Sequence, residues 1–255
     1  MPLDPHPPAV LEFLTQVAQL YEAMRPFAHG LEPASEPDLG GQLLYAGELD
    51  APGRALLVAG NIAGVASLAA TADPAAQRQA VRDGVADFLV TSLDEALRIL
   101  KNEIRKRQPV AVCVALAPEA IEREMLERGV QPDLLPPGAM QSSFLNQGAR
   151  PLQLATLESG TVLLTWSVAE APAQWLPRLD AIALHCLRPE DEWPRRWLRL
   201  APRYLGRMAH GQRLMFCDRE FAARFSEKVK DSSARGELAI AVDIQIIGLA
   251  LNAIE

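Results

Sequence analysis

Arg54-Ala-Leu-Leu-Val-Ala-Gly60 is a short apolar run that stops at a glycine, and Asn61-Ile-Ala-Gly64 leads from it into small residues that continue to Ala72. The stretch reads as a strand over 54–60, a tight turn, and a helix over about 63–72, the β-turn-α unit that opens a doubly wound sheet. The following elements keep this rhythm. Asp73 caps a helix that Pro74 begins and Gly84 closes, because aspartate oxygens accept first-turn amides and glycine takes the left-handed exit. Residues 85–91 then read as a strand, and Ser92-Leu-Asp-Glu95 as a capping box that starts a helix running to about Arg107. Residues 109–116 form the next apolar strand, Pro118 starts a helix that Gly129 stops, and residues 130–135 follow. Strands separated by helices imply an α/β, Rossmann-like fold: a mainly parallel sheet with helices on both faces.

Outward from this core, residues 10–24 carry apolar side chains at helical spacing, and Pro26 ends the pattern. Residues 30–41, rich in Pro, Glu, Gly and Ser, read as a connecting loop before regular structure resumes at Leu43. Prolines and glycines between Pro136 and Pro151 mark a long loop or hinge. Beyond it, 161–168 and 181–187 read as strands and 193–208 as a helix. A last β-α-β passage covers 213–217, 220–234 and 238–251. The expected organisation is an N-terminal helix and loop over 1–41, a Rossmann-like domain over 42–150, and a second α/β segment over 151–255 that completes the sheet or forms a second lobe.

A chain of 255 residues with 49% apolar content can bury one large core or two smaller ones. Its net charge of -7 and pI near 5.2, without a basic stripe, argue against a nucleic-acid partner. The N-terminus has no basic and apolar leader pattern, and no apolar run is long enough to span a bilayer, so a soluble, cytoplasmic protein is expected. Cys113, Cys186 and Cys217 lie far apart with no Cys-x-x-Cys spacing, which leaves neither a disulfide framework nor a zinc site. His185 beside Cys186 suggests a nucleophile and its base, but the apolar surroundings favour a core thiol.

A strand that ends in glycine and turns into a helix is where Rossmann folds hold pyrophosphate, since outward amides and the helix dipole favour an anion. Gly60, Asn61 and Gly64 are therefore the candidate cofactor contacts, with NAD the cofactor if there is one. Two of the three fingerprint glycines are present, and the segment that should carry the ribose-binding acid, 74–83, reads as helix. The alternative is that both glycines serve a tight turn and close helix packing.

Residues 43–70, with Tyr45-Ala-Gly-Glu-Leu-Asp-Ala-Pro-Gly-Arg54 and Leu57-Val-Ala-Gly-Asn-Ile-Ala-Gly64, resemble the start of the NAD-binding domain of urocanase. Thr91-Ser-Leu-Asp-Glu-Ala-Leu97, Val112-Cys-Val-Ala-Leu116 and Glu127-Arg-Gly-Val-Gln-Pro-Asp133 are similar to its next elements, in the same order. Arg196-Trp-Leu198, Leu214-Met-Phe216 and Arg235-Gly-Glu-Leu238 resemble a later segment. The resemblance implies a Rossmann-like domain and an NAD-dependent lyase, in which NAD adds as an electrophile to urocanate and water then adds to the adduct. The departures fall on the chemistry. Leu134-Leu-Pro-Pro-Gly-Ala-Met-Gln141 stands where the family has a threonine-, aspartate- and glutamine-containing signature, and Gln245-Ile-Ile-Gly-Leu249 replaces its Arg-Asp-His motif. The glycine loop is shorter, the setting of the catalytic cysteine has no counterpart, and much of both family termini is not matched.

The remaining candidates have structural readings. Asp94-Glu95, Glu122 with Glu124, and Glu190-Asp191-Glu192 suit solvated faces and caps better than acid-base work. Arg195, Arg196, Arg199 and Arg203 share one side of a helix and could meet an anion, a neighbouring acid or a partner subunit. Trp193 and Trp197 share a face that suits a core or an interface, and with the apolar 238–254 tail they point to a homodimer. No catalytic residue is assigned. The functional expectation is a degenerate urocanase homologue acting as a binding or assembly module; an altered NAD-dependent lyase and a small-molecule sensor are the alternatives.

Overall fold

The computed structural model describes residues 8–28, 37–140, 142–154 and 160–248. The chain divides into two compact units, residues 1–18 with 156–255, and residues 19–155, the division falling within helix α1 (Pro8–Met24).

The 19–155 unit is built on β1 (Leu43–Glu48), α2 (Ala51–Ala63), β2 (Ala66–Ala70), α3 (Pro74–Arg82), β3 (Phe88–Val90), α4 (Leu93–Lys106), β4 (Val110–Val114), α5 (Pro118–Glu127), β5 (Leu134–Leu135) and β6 (Arg150–Pro151). Its six strands form a parallel sheet in the order β3-β4-β2-β1-β5-β6. Helices cover both faces, as the alternation of elements implies. On one face Tyr45, Leu68, Val112 and Val114 pack with Leu93, Leu97 and Leu100 of α4 and with Ile121 and Met125 of α5. On the other, α2 lies close against the sheet, where Gly60 approaches Ser67 and Leu44.

The opening segment corrects the sequence reading. Residues 54–60 are not a strand but the middle of α2, and the strand is β2, where a helix over 63–72 was expected. Of the segments 54–60, 85–91 and 109–116, expected as neighbouring parallel strands, the last two are parallel neighbours as β3 and β4, and the other neighbour of β4 is β2 in place of 54–60. Every residue from Ala55 to Ala63 is buried, so α2 shows no polar face whose period could reveal it. The boundary signals were local: the Asp50 cap, Pro52 in the first turn, and Gly64 with φ 95° at the exit. Downstream the caps form as read. Asp73 accepts the Ala75 amide at 2.8 Å, Ser92 accepts that of Glu95 at 3.3 Å, and the Glu95 carboxylate reaches back to the Thr91 amide at 2.9 Å.

In the other unit, β7 (Thr161–Val168) lies between β8 (Gln212–Asp218) and β9 (Val242–Gly248) and is antiparallel to both. Helices α6 (Pro172–Cys186), α7 (Glu192–Leu205) and α8 (Arg219–Ala234) complete it. Residues 181–187, expected as a strand, are instead the end of α6 and its cap, with Leu176, Leu179, Asp180, Ala183 and Cys186 buried at helical spacing. Most of the 30–41 loop and the tail beyond Gly248 lie outside the described residues.

Candidate functional site

Gly60, Asn61 and Gly64 fall in the last turn of α2 and at its exit, not at a helix start. The Gly64 and Val65 amides donate to the Gly60 carbonyl at 2.8 and 3.0 Å, so these backbone groups are spent on closing the helix. This is the carboxyl pole of α2, where the dipole disfavours phosphate. Gly60 serves packing, since a Cβ there would lie 2.8 Å from Ser67 Oγ and 3.0 Å from Val65 Cγ1. Asn61 is 2% exposed.

The first β-turn-α junction of the sheet is Glu48-Leu-Asp-Ala-Pro-Gly53, between β1 and α2. The connection from β1 leads to β2 on one side and that from β5 to β6 on the other. The carboxyl ends of β1 and β5 therefore flank the switch point at which such sheets bind ligands. Gly47, with φ 75°, forms a bulge in the β1–β2 register there. A Cβ on Gly53 would lie 2.0 Å from the Glu48 carbonyl oxygen, so only glycine lets α2 start this close to β1.

The anion position at this helix start is filled by the chain itself. Asp50 Oδ1 accepts the Gly53 amide at 2.8 Å, Arg54 donates its amide to the Asp50 carbonyl at 2.9 Å, and Pro52 has no N–H. Of the four positions whose amides a helix start leaves without an intrahelical partner, Asp50 to Gly53, two thus offer no amide to a ligand. Nearby, Tyr45 donates its hydroxyl to the Pro118 carbonyl at 3.4 Å and meets Phe144 edge-on at 5.8 Å. Burial pushes the Tyr45 hydroxyl well above its ordinary range, and Glu122, Glu119 and Glu48 push in the same direction. The carboxyl edge of the sheet is therefore acidic. Asp73, just past the end of β2 and one residue before the 74–83 segment, stands where a ribose-binding acid belongs; its carboxylate caps α3.

The other sequence candidates are structural. Arg128 pairs with Asp94 at 2.6 Å and Glu124 at 2.8 Å, and Asp191 Oδ2 accepts the Arg188 amide at 2.9 Å. Trp193 and Trp197 are 3% and 4% exposed within a single chain, and Trp197 Nε1 donates to the Leu214 carbonyl at 2.7 Å, which places both in the core of their unit. Burial raises all three thiols, Cys113 to about 11 and Cys217 to about 12, so none is poised as a thiolate. Among the described residues no group of three or more His, Cys, Asp or Glu is placed to hold a metal ion, and no helix is long and apolar enough to cross a membrane.

A parallel sheet sandwiched by helices, with its first β-turn-α junction at the switch point, defines a Rossmann-like α/β architecture. Residues 24–148 match the family model of the urocanase Rossmann-like domain, and over this stretch the chain is urocanase-like in sequence and in fold. The phosphate-type turn thus lies within 45–54, the segment that carries the family resemblance, and not at Gly60 to Gly64. The signal available was an N-cap aspartate followed by proline and glycine, directly after an apolar strand.

Proposed function

We propose that this chain is a catalytically degenerate urocanase-like protein whose Rossmann-like unit serves as a binding or assembly module. The observation that carries the reading is Asp50: its carboxylate sits on the α2 amide a pyrophosphate would need, with Glu48, Glu119 and Glu122 nearby. A dinucleotide would have to displace one carboxylate and approach the others. If each charge-assisted hydrogen bond lost is worth about 1.5–3 kcal/mol, two losses weaken binding by roughly a hundred- to ten-thousand-fold. The polar signatures are replaced as well, by β5 and the turn after it at 134–140 and by Gln245 on the edge strand β9.

Assembly as a homodimer belongs to the same reading. It is supported by β9, an edge strand whose Ile246 and Ile247 are 48% and 36% exposed. A cytoplasmic location fits the three unpaired thiols. An altered NAD-dependent lyase is the second reading, favoured by Asp73 at the end of β2.

The deciding experiment incubates the protein with NAD and urocanate and follows urocanate's ultraviolet absorbance, with calorimetric titration of NAD alongside. No turnover and no NAD binding at micromolar concentration are expected. Turnover above background would overturn the reading in favour of the lyase. Light scattering at micromolar protein tests the dimer, and a monomer mass would reject it.

A further inference from the structure

At the opposite end of the sheet from the switch point, a cleft of about 270 Å³ opens among Asp38, Gly40, Gly41, Gln42, Arg107, Asp133 and Arg150. Its walls are the loop that leads into β1, the end of α4, and the starts of β5 and β6. The loop and the helix end fit each other closely. Arg107 ends α4 in the left-handed conformation with φ 57°, a place usually given to glycine. A Cβ on Gly40 would meet the Arg107 carbonyl oxygen at 2.8 Å, and Gly41 bends away with φ 93°. The glycines and the strained arginine together keep this wall open and fixed.

The charges of the cleft are arranged, not merely mixed. Arg107 is neutralised by Asp38 at 3.1 Å. Arg150 has no ion pair among the described residues: its guanidinium lies 4.7 Å from the centre of the Phe27 ring and 3.4 Å from Gln42 Oε1. It is a held cation with donors to spare. Asp133 lies beside it in the parallel pairing, where the Arg150 amide donates to the Asp133 carbonyl at 2.9 Å. One Asp133 carboxylate oxygen accepts the Leu43 amide at 2.8 Å, which positions the group without neutralising it. The carboxyl pole of α4 adds its carbonyls to the negative side.

We propose that this cleft binds a small zwitterion of the α-amino-acid class, its carboxylate on Arg150 and its ammonium on Asp133 and the α4 pole. A dianion such as phosphate is disfavoured because each arginine has an aspartate beside it in the lining. A bare cation would leave Arg150 unanswered. A ligand carrying both charges close together answers both sides and suits a cleft of this size.

The test titrates the full chain by calorimetry with each common α-amino acid at millimolar concentration, then with the desamino and decarboxylated analogues of the best binder, and with inorganic phosphate. Binding of at least one amino acid is expected. Removing either charged group, or substituting Arg150→Met or Asp133→Asn, should weaken it by about tenfold or more. Asparagine at 133 keeps an acceptor for the Leu43 amide, so that variant should fold normally, and unchanged circular dichroism of both variants would show that they do. The proposal is overturned if no amino acid binds, if phosphate or the desamino analogue binds as well as the zwitterion, or if neither folded variant loses affinity.

Discussion

The Asp50 carboxylate and the Gly53 amide, 2.8 Å apart, do at the start of α2 what a bound phosphate does in a nucleotide-binding Rossmann fold. They close the helix end within the chain, so the cap should be worth measurable stability. Asp50→Ala is expected to lower the unfolding free energy by about 1 kcal/mol, while Asp50→Asn, which keeps an acceptor, loses only part of it. Urea unfolding of the two variants checks this, and equal losses would refute the capping role.

Two glycines of α2 should respond differently to alanine. At Gly53 the obstruction is backbone, the Glu48 carbonyl oxygen 2.0 Å from the added carbon, and no side chain can yield; a loss of about 3 kcal/mol or more is expected. At Gly60 the nearest obstruction is Ser67 Oγ at 2.8 Å, a buried hydroxyl with no hydrogen-bond partner among the described residues. Gly60→Ala alone should cost about 1–3 kcal/mol, and Ser67→Ala should be close to neutral by itself. The double variant should recover about 1 kcal/mol relative to the sum, the coupling expected of residues in contact. A strictly additive cycle would show that Val65 and Leu44, not Ser67, set the limit.

The same helix explains what was legible in the sequence. Alternating elements, the caps at Asp73 and Ser92, and the glycine exits at Gly84 and Gly129 depend on a few adjacent residues, and they form as read. An apolar run buried on every side carries no period, so Leu56–Ala59 could not declare itself helix or strand. Ala66–Ala70 is made of good helix formers, yet it is a central strand: small side chains let α2 pack close, and tertiary packing overrides propensity. The site follows the same exchange, because with the strand at 43–48 and not 54–60 the phosphate-type turn lies at Asp50 and not at Gly60. The amino-edge cleft brings together residues from 38 to 150, and no local pattern could announce it.

Asp180 of α6 and Arg213 of β8 form a pair only 11% and 13% exposed, with Nε to Oδ2 at 3.0 Å. Burial pushes the Asp180 carboxyl up, and Arg213 opposes that shift. Removing one partner strands the other. Asp180→Ala is expected to cost about 3 kcal/mol, whereas Asp180→Leu with Arg213→Met should recover most of it, because a buried ion pair is replaceable by apolar side chains of similar volume. A double variant no more stable than the single one in urea would mean that the Arg213 bonds to the Ala209 and Gln212 carbonyls dominate.

Glu22, near the end of α1, gives a pH dependence whose direction is fixed. Burial raises its carboxyl from 4.5 to about 7, against the smaller opposing pull of Arg25. Below the ordinary glutamate range the group is protonated in both folded and unfolded chains and costs nothing. As pH rises, the unfolded chain releases its proton first while the folded chain still holds one, so the unfolded state gains and stability falls until about pH 7. At 1.36 kcal/mol per unit, the loss from this group is roughly 3 kcal/mol once the pH is above 7. Glu22→Gln should therefore match the wild type near pH 4, exceed its stability by up to that amount at pH 8, and flatten the profile between. Urea midpoints measured across this range decide it, and a difference between the two proteins that does not grow with pH would show that Glu22 is ionised in the fold at an ordinary pKa.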